Sequence, residues 1–397
     1  MKIFIENKRI YSIFLMVFIG LLTAFGPFVT DMYLSALPSL IEQFNTSASM
    51  VQLSLTTCMI GLAVGQLVFG PMSDRYGRKP ILLLTLGLFI ISTMCCFFSF
   101  NIMEFVISRL FQGIAAAGSI VIARSICTDL YTGHELTKII AITGSINGIA
   151  PVLAPVIGGA MTDTIGWKGI FAVLFAIGMV LLFACKLYKE SIPVERRIIF
   201  NLSELPSYFL PLLKIKPFTG HMLQLGFAQA ALFANIASAP FIMQQHYGFT
   251  PLEFSLFFGV NALVLVISAS LAAKFKRIEY GVKIGNMGLL VFSIIEMVAL
   301  FMDCNFVVYE CGILGILFFL GLCFTSSTTI AMDSGRHHSG FASALLGAVS
   351  FAFGGVVSPL VGIGNPMKAT GIVFVVCAIC SSISIFLTKN TTDKTTP

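Results

Sequence analysis

A single carboxyl group inside an otherwise apolar segment near the start of the chain is the side chain best suited to chemistry. Asp31 follows residues 12–30, which contain no charged side chain. A carboxylate that is removed from water is costly, so it either pairs with a cation or takes up a proton. Asp31 is therefore predicted to load and release a proton. The alternative is that Asp31 lies at a solvated interface or caps a helix.

Two further charged residues lie within apolar stretches. Arg109 stands in the run RLFQG, and a buried guanidinium keeps its proton and needs an acidic or carbonyl partner. Its alternative role is that of a structural hydrogen-bond anchor. Glu296, in VFSIIEMVAL, is a second acid that we expect to pair with a neighbour or to lie near an interface, with a second proton site as the alternative.

Other kinds of chemistry have no support in the sequence. There is no Walker loop, so ATP is not expected to drive the protein, and no HExxH or Cys/His cluster points to a metal. Because the acids are scattered, an enzyme is not expected, and neither is a cofactor.

The composition defines the elements that must hold these side chains. Of the 397 residues, 57% are hydrophobic and only 11% are charged, against about 25% charged in a typical soluble domain. A soluble fold cannot cover so much apolar surface, whereas the lipid bilayer solvates it. The net charge of +6 lies in short basic runs between apolar segments, so nucleic acid is not an expected partner.

Apolar runs of about 20 residues, the length needed to cross a bilayer, recur along the whole chain. The first follows a basic start and is longer than a signal-peptide core, so we expect it to stay as a membrane helix. The predicted helices cover residues 10–37, 48–70, 81–98, 103–125, 139–162, 168–187, 219–241, 253–273, 284–302, 307–331, 340–362 and 368–388.

The basic residues fix the expected orientation. With the N-terminus inside, 20 of the 24 Lys and Arg residues fall in internal segments and only Lys168 and Lys368 in external loops. This asymmetry predicts that both termini are cytoplasmic and that the number of spans is even.

A polar stretch in the middle of the chain separates two sets of six helices. It carries four prolines and most of the mid-chain charge. We therefore predict an N-terminal bundle over 1–187, a cytoplasmic linker over 188–218 and a C-terminal bundle over 219–397. Two six-helix halves around a central site are a recurring plan of transporters.

Two motifs are predicted to act in conformational change. The first is a predicted loop between helices two and three, where glycines permit close approach and the basic residues favour the inside: Gly70, Asp74, Arg75, Gly77, Arg78 and Lys79. The second is a stripe of small and kinking residues on helix five, which lets a neighbouring helix approach closely: Gly144, Gly148, Pro151, Pro155, Gly158 and Gly159. The alternatives are an ordinary basic loop and generic membrane packing.

These motifs resemble a known family. GPMSDRYGRK is similar to the signature loop of the major facilitator superfamily, and TDMYLSALP, RLFQG, GSINGIAPVLAPVIGG and GFASA resemble its drug/proton antiporter branch, in particular the Bcr/CflA (bicyclomycin-resistance-like) family. Ser35 and Phe341 depart from the pattern, where the family usually has Pro and Thr. The resemblance implies an all-α fold of twelve transmembrane helices in two six-helix pseudo-repeat bundles. It also implies that Arg109 tunes proton release from an acidic group on helix one, for which Asp31 is the expected partner.

The function that follows is a proton-coupled efflux antiporter in the inner membrane, exporting drugs or other small lipophilic molecules. The alternative is a secondary exporter of a metabolite such as an amino acid or a sugar. A channel is a further alternative, which the gating stripe and the two-half layout disfavour. The expected partners are substrate, protons and lipid, and we expect a monomer. Polar residues on helices one, four and seven are predicted to line an apolar substrate cavity: Tyr33, Gln112, Gln224, Gln229 and Asn235. For each of them the alternative is ordinary packing or a hydrogen bond between helices.

Overall fold

The protein is helical throughout the part of the chain that the structure describes. The computed structural model describes residues 8–131, 133–197, 205–272, 274–275, 277–335 and 339–389. The α-helices are α1 Lys8–Asp31, α2 Leu37–Phe44, α3 Ala48–Tyr76, α4 Arg78–Phe97, α5 Ile102–Leu130, α6 Gly133–Leu187, α7 Leu205–Leu213, α8 Lys216–Phe241, α9 Pro251–Ala272, α10 Ile278–Phe301, α11 Phe306–Ser334, α12 Ser339–Val357 and α13 Pro366–Lys389.

The number of membrane spans agrees with the sequence prediction. Within the described residues, eleven helical segments are long and apolar enough to cross a membrane. One of them lies in α6, where two helices meet at a kink at Gly166, whose φ of 70° only glycine adopts readily. Because α6 therefore supplies two spans, the described chain contains twelve, and the predicted all-α membrane fold is confirmed.

Two predicted boundaries differ from the structure in ways that matter for function. The first predicted helix, 10–37, is interrupted after Asp31, and a 3₁₀ turn, Leu34–Ala36, leads into α2. The predicted loop around Gly70–Lys79 is almost entirely helical: α3 continues to Tyr76, and only Gly77, with φ 104°, separates it from α4. Asp74 therefore lies in the last turn of α3, and not in a loop.

The chain divides into two compact units. The first contains 1–36 and 57–200, and the second contains 37–56 and 201–397. In the first unit α1 packs on α5 and α6, and α4 packs on the same two helices. In the second unit α8 packs on α11, α12 and α13, and α11 packs on α9 and α10. Residues 37–56 thus group with the C-terminal helices. The sequence boundaries at 187 and 219 stay a prediction.

Candidate functional site

Asp31 lies at the C-terminal end of α1 and is buried, with 7% of its surface exposed. The Thr30 hydroxyl donates a hydrogen bond of 2.7 Å to its Oδ1 atom. Among the described residues, no cation lies within ion-pair distance of the carboxyl group. Asp31 is therefore a shielded carboxyl with one hydrogen-bond donor from its own helix.

Arg109 on α5 is completely buried beside the end of α1. One guanidinium nitrogen donates to the carbonyl oxygen of Val29 at 3.1 Å, and another donates to Oε1 of Gln112. The Gln112 amide nitrogen in turn donates to the Thr93 hydroxyl on α4 at 2.8 Å. A chain of hydrogen bonds therefore joins α1, α5 and α4 through Arg109.

The predicted direct pairing of Arg109 with Asp31 was wrong for this structure. The cation has the carbonyl partner that the sequence allowed, Val29, and that carbonyl belongs to the residue two positions before Asp31 on the same helix. A guanidinium is satisfied by a helix-end carbonyl because this oxygen has no partner within its own helix.

Aromatic rings cover the other side of the guanidinium. The Arg109 Cζ atom lies 4.1 Å from the centroid of the Tyr33 ring and 5.9 Å from that of Phe171. Phe105 and Trp167 complete a cluster of edge-to-face contacts with Phe171, at centroid distances of 5.4 and 6.0 Å. Cation–π attraction is strongest where water is excluded, so these rings favour the buried charge.

The predicted small-residue stripe of helix five lies on α6 and contacts the chain segment that follows Asp31. Gly158 lies against the backbone carbonyl of Met32, so closely that a Cβ atom at 158 would overlap the carbonyl oxygen. One turn further along α6, the hydroxyls of Thr162 and Ser35 are 3.0 Å apart. The segment that follows Asp31 therefore packs against α6. The helical run includes Gly144, Gly148, Pro151, Pro155 and Gly159.

Gly158→Ala is expected to push α6 away from the Met32 carbonyl and so to disturb the Asp31 segment. Overpacking of this kind costs about 1–3 kcal/mol. We expect a lower unfolding temperature and reduced transport, measured by thermal unfolding in detergent and by uptake into proteoliposomes. Gly87→Ala on α4 is the matched control, because a Cβ there meets nothing within 4 Å. Equal behaviour of the two variants would contradict the close contact.

A second polar cluster joins the ends of α3, α4, α5 and α6 around Arg78. This side chain is buried, and its guanidinium contacts Asp74 at 2.5 Å and Asp129 at 2.8 Å. It also donates to the Ser73 hydroxyl at 2.7 Å. The structure thus brings two of the predicted motif residues, Asp74 and Arg78, into direct contact, and it adds Asp129, which the sequence analysis missed.

Glu190, just beyond α6, completes this cluster and was also missed. Its carboxylate accepts the backbone N–H groups of Arg78 and Lys79 at 3.0 and 3.1 Å, which are the first N–H groups of α4 and have no partner in their own helix. Gly77 leaves room for this contact, because a Cβ there would press on the Glu190 carboxylate. Burial raises the pKa of the neighbouring Tyr188 phenol, so this group stays neutral beside the acids.

The remaining motif residues lie on the rim of this cluster. The Lys79 ammonium donates to the carbonyl oxygens of Lys186 and Tyr188 at 2.9 and 2.6 Å. Arg75 stacks over the Tyr76 ring at 5.1 Å, and Gly70 accepts a hydrogen bond from the Ser73 hydroxyl at 2.7 Å. The sequence signal for Glu190 and Asp129 was weak, because each is a single acid at the end of an apolar run.

Glu190→Ala is expected to leave the Arg78 and Lys79 N–H groups without an acceptor. Loss of a helix cap costs about 0.5–2 kcal/mol. We expect lower thermal stability and slower transport, with a smaller loss in Glu190→Gln, which keeps one acceptor oxygen. Glu195→Ala, at an exposed position nearby, is the matched control. If both alanine variants lost the same stability, Glu190 would not be capping α4.

The predicted cavity residues fall into two groups. In the first unit, Tyr33 and Gln112 are buried in the Arg109 cluster. In the second unit, Gln224 and Asn235 are buried on α8, and Gln229 is partly buried. Gln224 lies beside the Cys323 thiol of α11. Among the described residues, the three α8 side chains keep amide atoms without a normal hydrogen-bond partner. Buried polar groups usually have such a partner, so these atoms are available to water or to substrate.

Comparison with known proteins identifies the family to which the chain belongs. A family model described as Major Facilitator Superfamily matches residues 16–359. An uncharacterized MFS-type transporter, YdgK of Bacillus subtilis, is 36% identical over 94% of each chain. The bicyclomycin resistance protein homolog of Haemophilus influenzae is 26% identical over 96% of each chain. The chloramphenicol resistance protein of Pseudomonas aeruginosa is 32% identical over 60% of this chain and 56% of its own.

Solved structures agree on the fold. The xylose transporter XylE of E. coli in a partially occluded inward-open conformation superimposes with a TM-score of 0.73, over 98% of this chain and 100% of that one, at 16% identity. A bacterial homolog of the human lysosomal transporter Spinster gives a TM-score of 0.74 over 96% of each chain, also at 16% identity. Fold and family thus define a multi-pass membrane transporter, and not an enzyme. The chain belongs to the Major Facilitator Superfamily, and its relatives confirm the resemblance to the Bcr/CflA branch.

Proposed function

We propose that this chain is a proton-coupled antiporter that exports small lipophilic, drug-like molecules. The observation that carries the proposal is the burial of Asp31 at the end of α1, where none of the described residues places a cation within ion-pair distance. An ionised carboxylate in such a place is costly, whereas its protonated form is tolerated. Binding and release of a proton at Asp31 therefore changes the free energy of this segment substantially.

Arg109 and Gly158 transmit the state of Asp31 to the rest of the first unit. Arg109 is bonded to Val29 and stacked on Tyr33, so its contacts lie on both sides of Asp31 in the sequence. Gly158 backs Met32. A shift of the α1 break on protonation would reach α5 through the guanidinium and α6 through the glycine contact. Arg109 is thus the expected tuning residue for proton release, acting through the helix end and not through an ion pair.

Coupling then requires that proton and substrate compete for one conformational state. Each ligand can shift the equilibrium only by its difference in affinity between the two states. We expect protonation of Asp31 from outside and substrate binding from inside to act in this way, with the N-terminal bundle 1–187 and the C-terminal bundle 219–397 rocking about a central site. The Arg78 cluster and the α6 stripe would hold helix ends together in one state and release them in the other.

Drug-like substrates are favoured by the relatives and by the side chains of α8. Two of the relatives are named after antibiotic resistance, as a bicyclomycin resistance protein homolog and a chloramphenicol resistance protein. The unsatisfied amide atoms of Gln224, Gln229 and Asn235 lie on a helix otherwise rich in Ala, Phe and Leu. A mainly apolar lining with few polar groups accepts lipophilic molecules of varied shape. Export of a metabolite such as an amino acid or a sugar is the alternative.

The proposed setting is the bacterial inner membrane, with a monomeric chain and both termini in the cytoplasm. The distribution of basic residues supports this orientation. In this proposed orientation the Arg78 cluster would lie on the cytoplasmic side, and the connection between α10 and α11 would lie on the external side.

Accumulation of fluorescent drugs in cells that carry or lack the chain tests the proposed function. We expect lower accumulation in cells that carry it and loss of that difference when a protonophore is added. Amino acids and sugars, tested as a panel in the same cells, separate the metabolite alternative. Export of a metabolite with unchanged drug accumulation would overturn the drug assignment.

A further inference from the structure

Two buried acids lie near one another in the second unit, where α10 ends and α11 begins. Glu296 on α10 has no exposed surface, and Glu310 on α11 has 8%. The two carboxyl groups lie close enough to act electrostatically on one another. Within the described part of the chain, neither carboxyl forms a hydrogen bond of normal geometry or an ion pair.

The backbone of α11 is shaped to receive Glu296. Its Oε2 atom lies against Gly312, where the Cβ of any other residue would overlap it. One turn further, Gly315 receives the Phe292 ring in the same way, and Gly288 of α10 receives Phe319 of α11. The Glu296 side chain therefore occupies a notch in a closely packed helix pair, and does not extend toward a solvated rim.

A third helix contributes an unsatisfied polar side chain to the same place. Asn261 on α9 is 4% exposed, lies beside the Glu310 carboxyl, and has no partner for its Oδ1 atom among the described residues. An amide can donate to an ionised carboxylate or accept from a protonated carboxyl. The group beside the acids is thus suited to both protonation states.

The surrounding charges do not neutralise the acids. The Tyr309 phenol on α11, and the Tyr247 phenol and Cys304 thiol beyond the helix ends, are neutral neighbours. His246 pairs with Asp303 at 3.1 Å, and the Lys368 ammonium of α13 lies 5.8 Å from the Phe301 ring. Glu253 of α9 is bonded to Thr250, and α13 also carries Cys377 and Cys380. The other titratable groups on these helices are Glu279, Tyr280 and Lys283 in the first two turns of α10, Cys311, Cys323 and Asp333 on α11, and Lys216 and His221 in the first two turns of α8; α12 carries none.

We propose that Glu296 and Glu310 form a second proton-binding site in the C-terminal unit, in which the two carboxyl groups titrate as one interacting pair. Two buried carboxylates without a cation cannot both be ionised at low cost. Uptake of one proton forms one O–H bond and leaves a single negative charge, next to the Asn261 amide. The site goes beyond the proposed coupling at Asp31 and does not depend on it.

Infrared spectroscopy of the purified full-length protein, titrated with pH, tests the pair directly. The wild type is expected to show absorbance from protonated carboxyl groups that the Glu296→Gln/Glu310→Gln double variant lacks. Each single variant is expected to shift the titration midpoint of the remaining carboxyl, because coupled groups do not titrate independently. Glu279→Gln, an exposed acid on α10, is the matched control and should leave the spectrum unchanged. Asp31→Asn should remove only the absorbance of the Asp31 carboxyl group and leave that of the glutamate pair unchanged.

Four results would count against the proposal. Identical spectra of the double variant and the wild type would mean that neither acid binds a proton, and unshifted single variants would mean that the acids do not interact. A band that changes when sodium replaces choline would indicate a cation site. If the double variant does not fold, Gly312→Ala serves instead: displacing Glu296 from its notch should alter the same band, and an unaltered band would count against the site.

Discussion

Asp31→Asn is expected to lose all export driven by a pH gradient while keeping downhill substrate equilibration. Asn has the size of Asp and still accepts the hydrogen bond that Thr30 donates at 2.7 Å, so the break after α1 should keep its shape. It cannot exchange a proton, however, and the free energy of the gradient then has no route to the conformational change. Proteoliposomes loaded with drug, with and without an imposed pH gradient, measure both activities.

The control for this variant is Asp163→Asn, an exposed acid on α6. It should transport as the wild type does, because a solvated carboxylate neither stores nor transmits the proton. Uphill export by Asp31→Asn at the wild-type rate would exclude Asp31 as the proton carrier.

Arg109→Met is expected to abolish transport without lowering thermal stability. Removing the guanidinium leaves the Val29 carbonyl oxygen unpaired and leaves Oε1 of Gln112 with the Cys96 thiol, a weak donor 3.9 Å away, at about 1–3 kcal/mol for each buried group that loses its partner. It also removes a buried cation that has no carboxylate within ion-pair distance in the described structure, whose desolvation costs several kcal/mol. The two effects are of similar size, so stability should be kept or raised.

Loss of transport without loss of stability would distinguish the two roles that the sequence left open for Arg109, which are tuning of proton release and structural anchoring. If Arg109 were only a hydrogen-bond anchor, Arg109→Met would lower the unfolding temperature in step with activity. Arg109→Lys, which keeps the charge but not the fork of donors that reaches Val29 and Gln112, should retain partial transport. Thermal unfolding and proteoliposome transport of both variants decide between the roles.

Much of the fold could be predicted from the sequence because apolar runs of membrane length leave few alternatives. The twelve spans follow from this pattern, even where α6 joins two of them across Gly166. The break after Asp31 could not be predicted, since the apolar run continues to Leu37. The break depends on tertiary contacts such as that of Gly158 with Met32. The helical course through Gly70 and Pro71 was also missed, because glycine and proline usually indicate a loop.

The site was predicted in its residue types but not in its pairings. Asp31 and Arg109 were recognised because charges are costly in apolar segments, yet the partner of the guanidinium is a backbone carbonyl, which carries no sequence signal. Asp129, Glu190 and Glu310 were missed for a related reason. Each is an isolated acid near a helix end, and its importance depends on which groups the fold brings beside it.

Proton movement driven by drug is the most direct measurement of the central claim. Proteoliposomes that contain a pH-sensitive dye, with no initial pH gradient, receive a drug gradient across the membrane. Exchange through Asp31 predicts that wild-type protein moves protons opposite to the drug, and that Asp31→Asn moves drug without protons. Equal proton movement in the two proteins, or none in either, would contradict it.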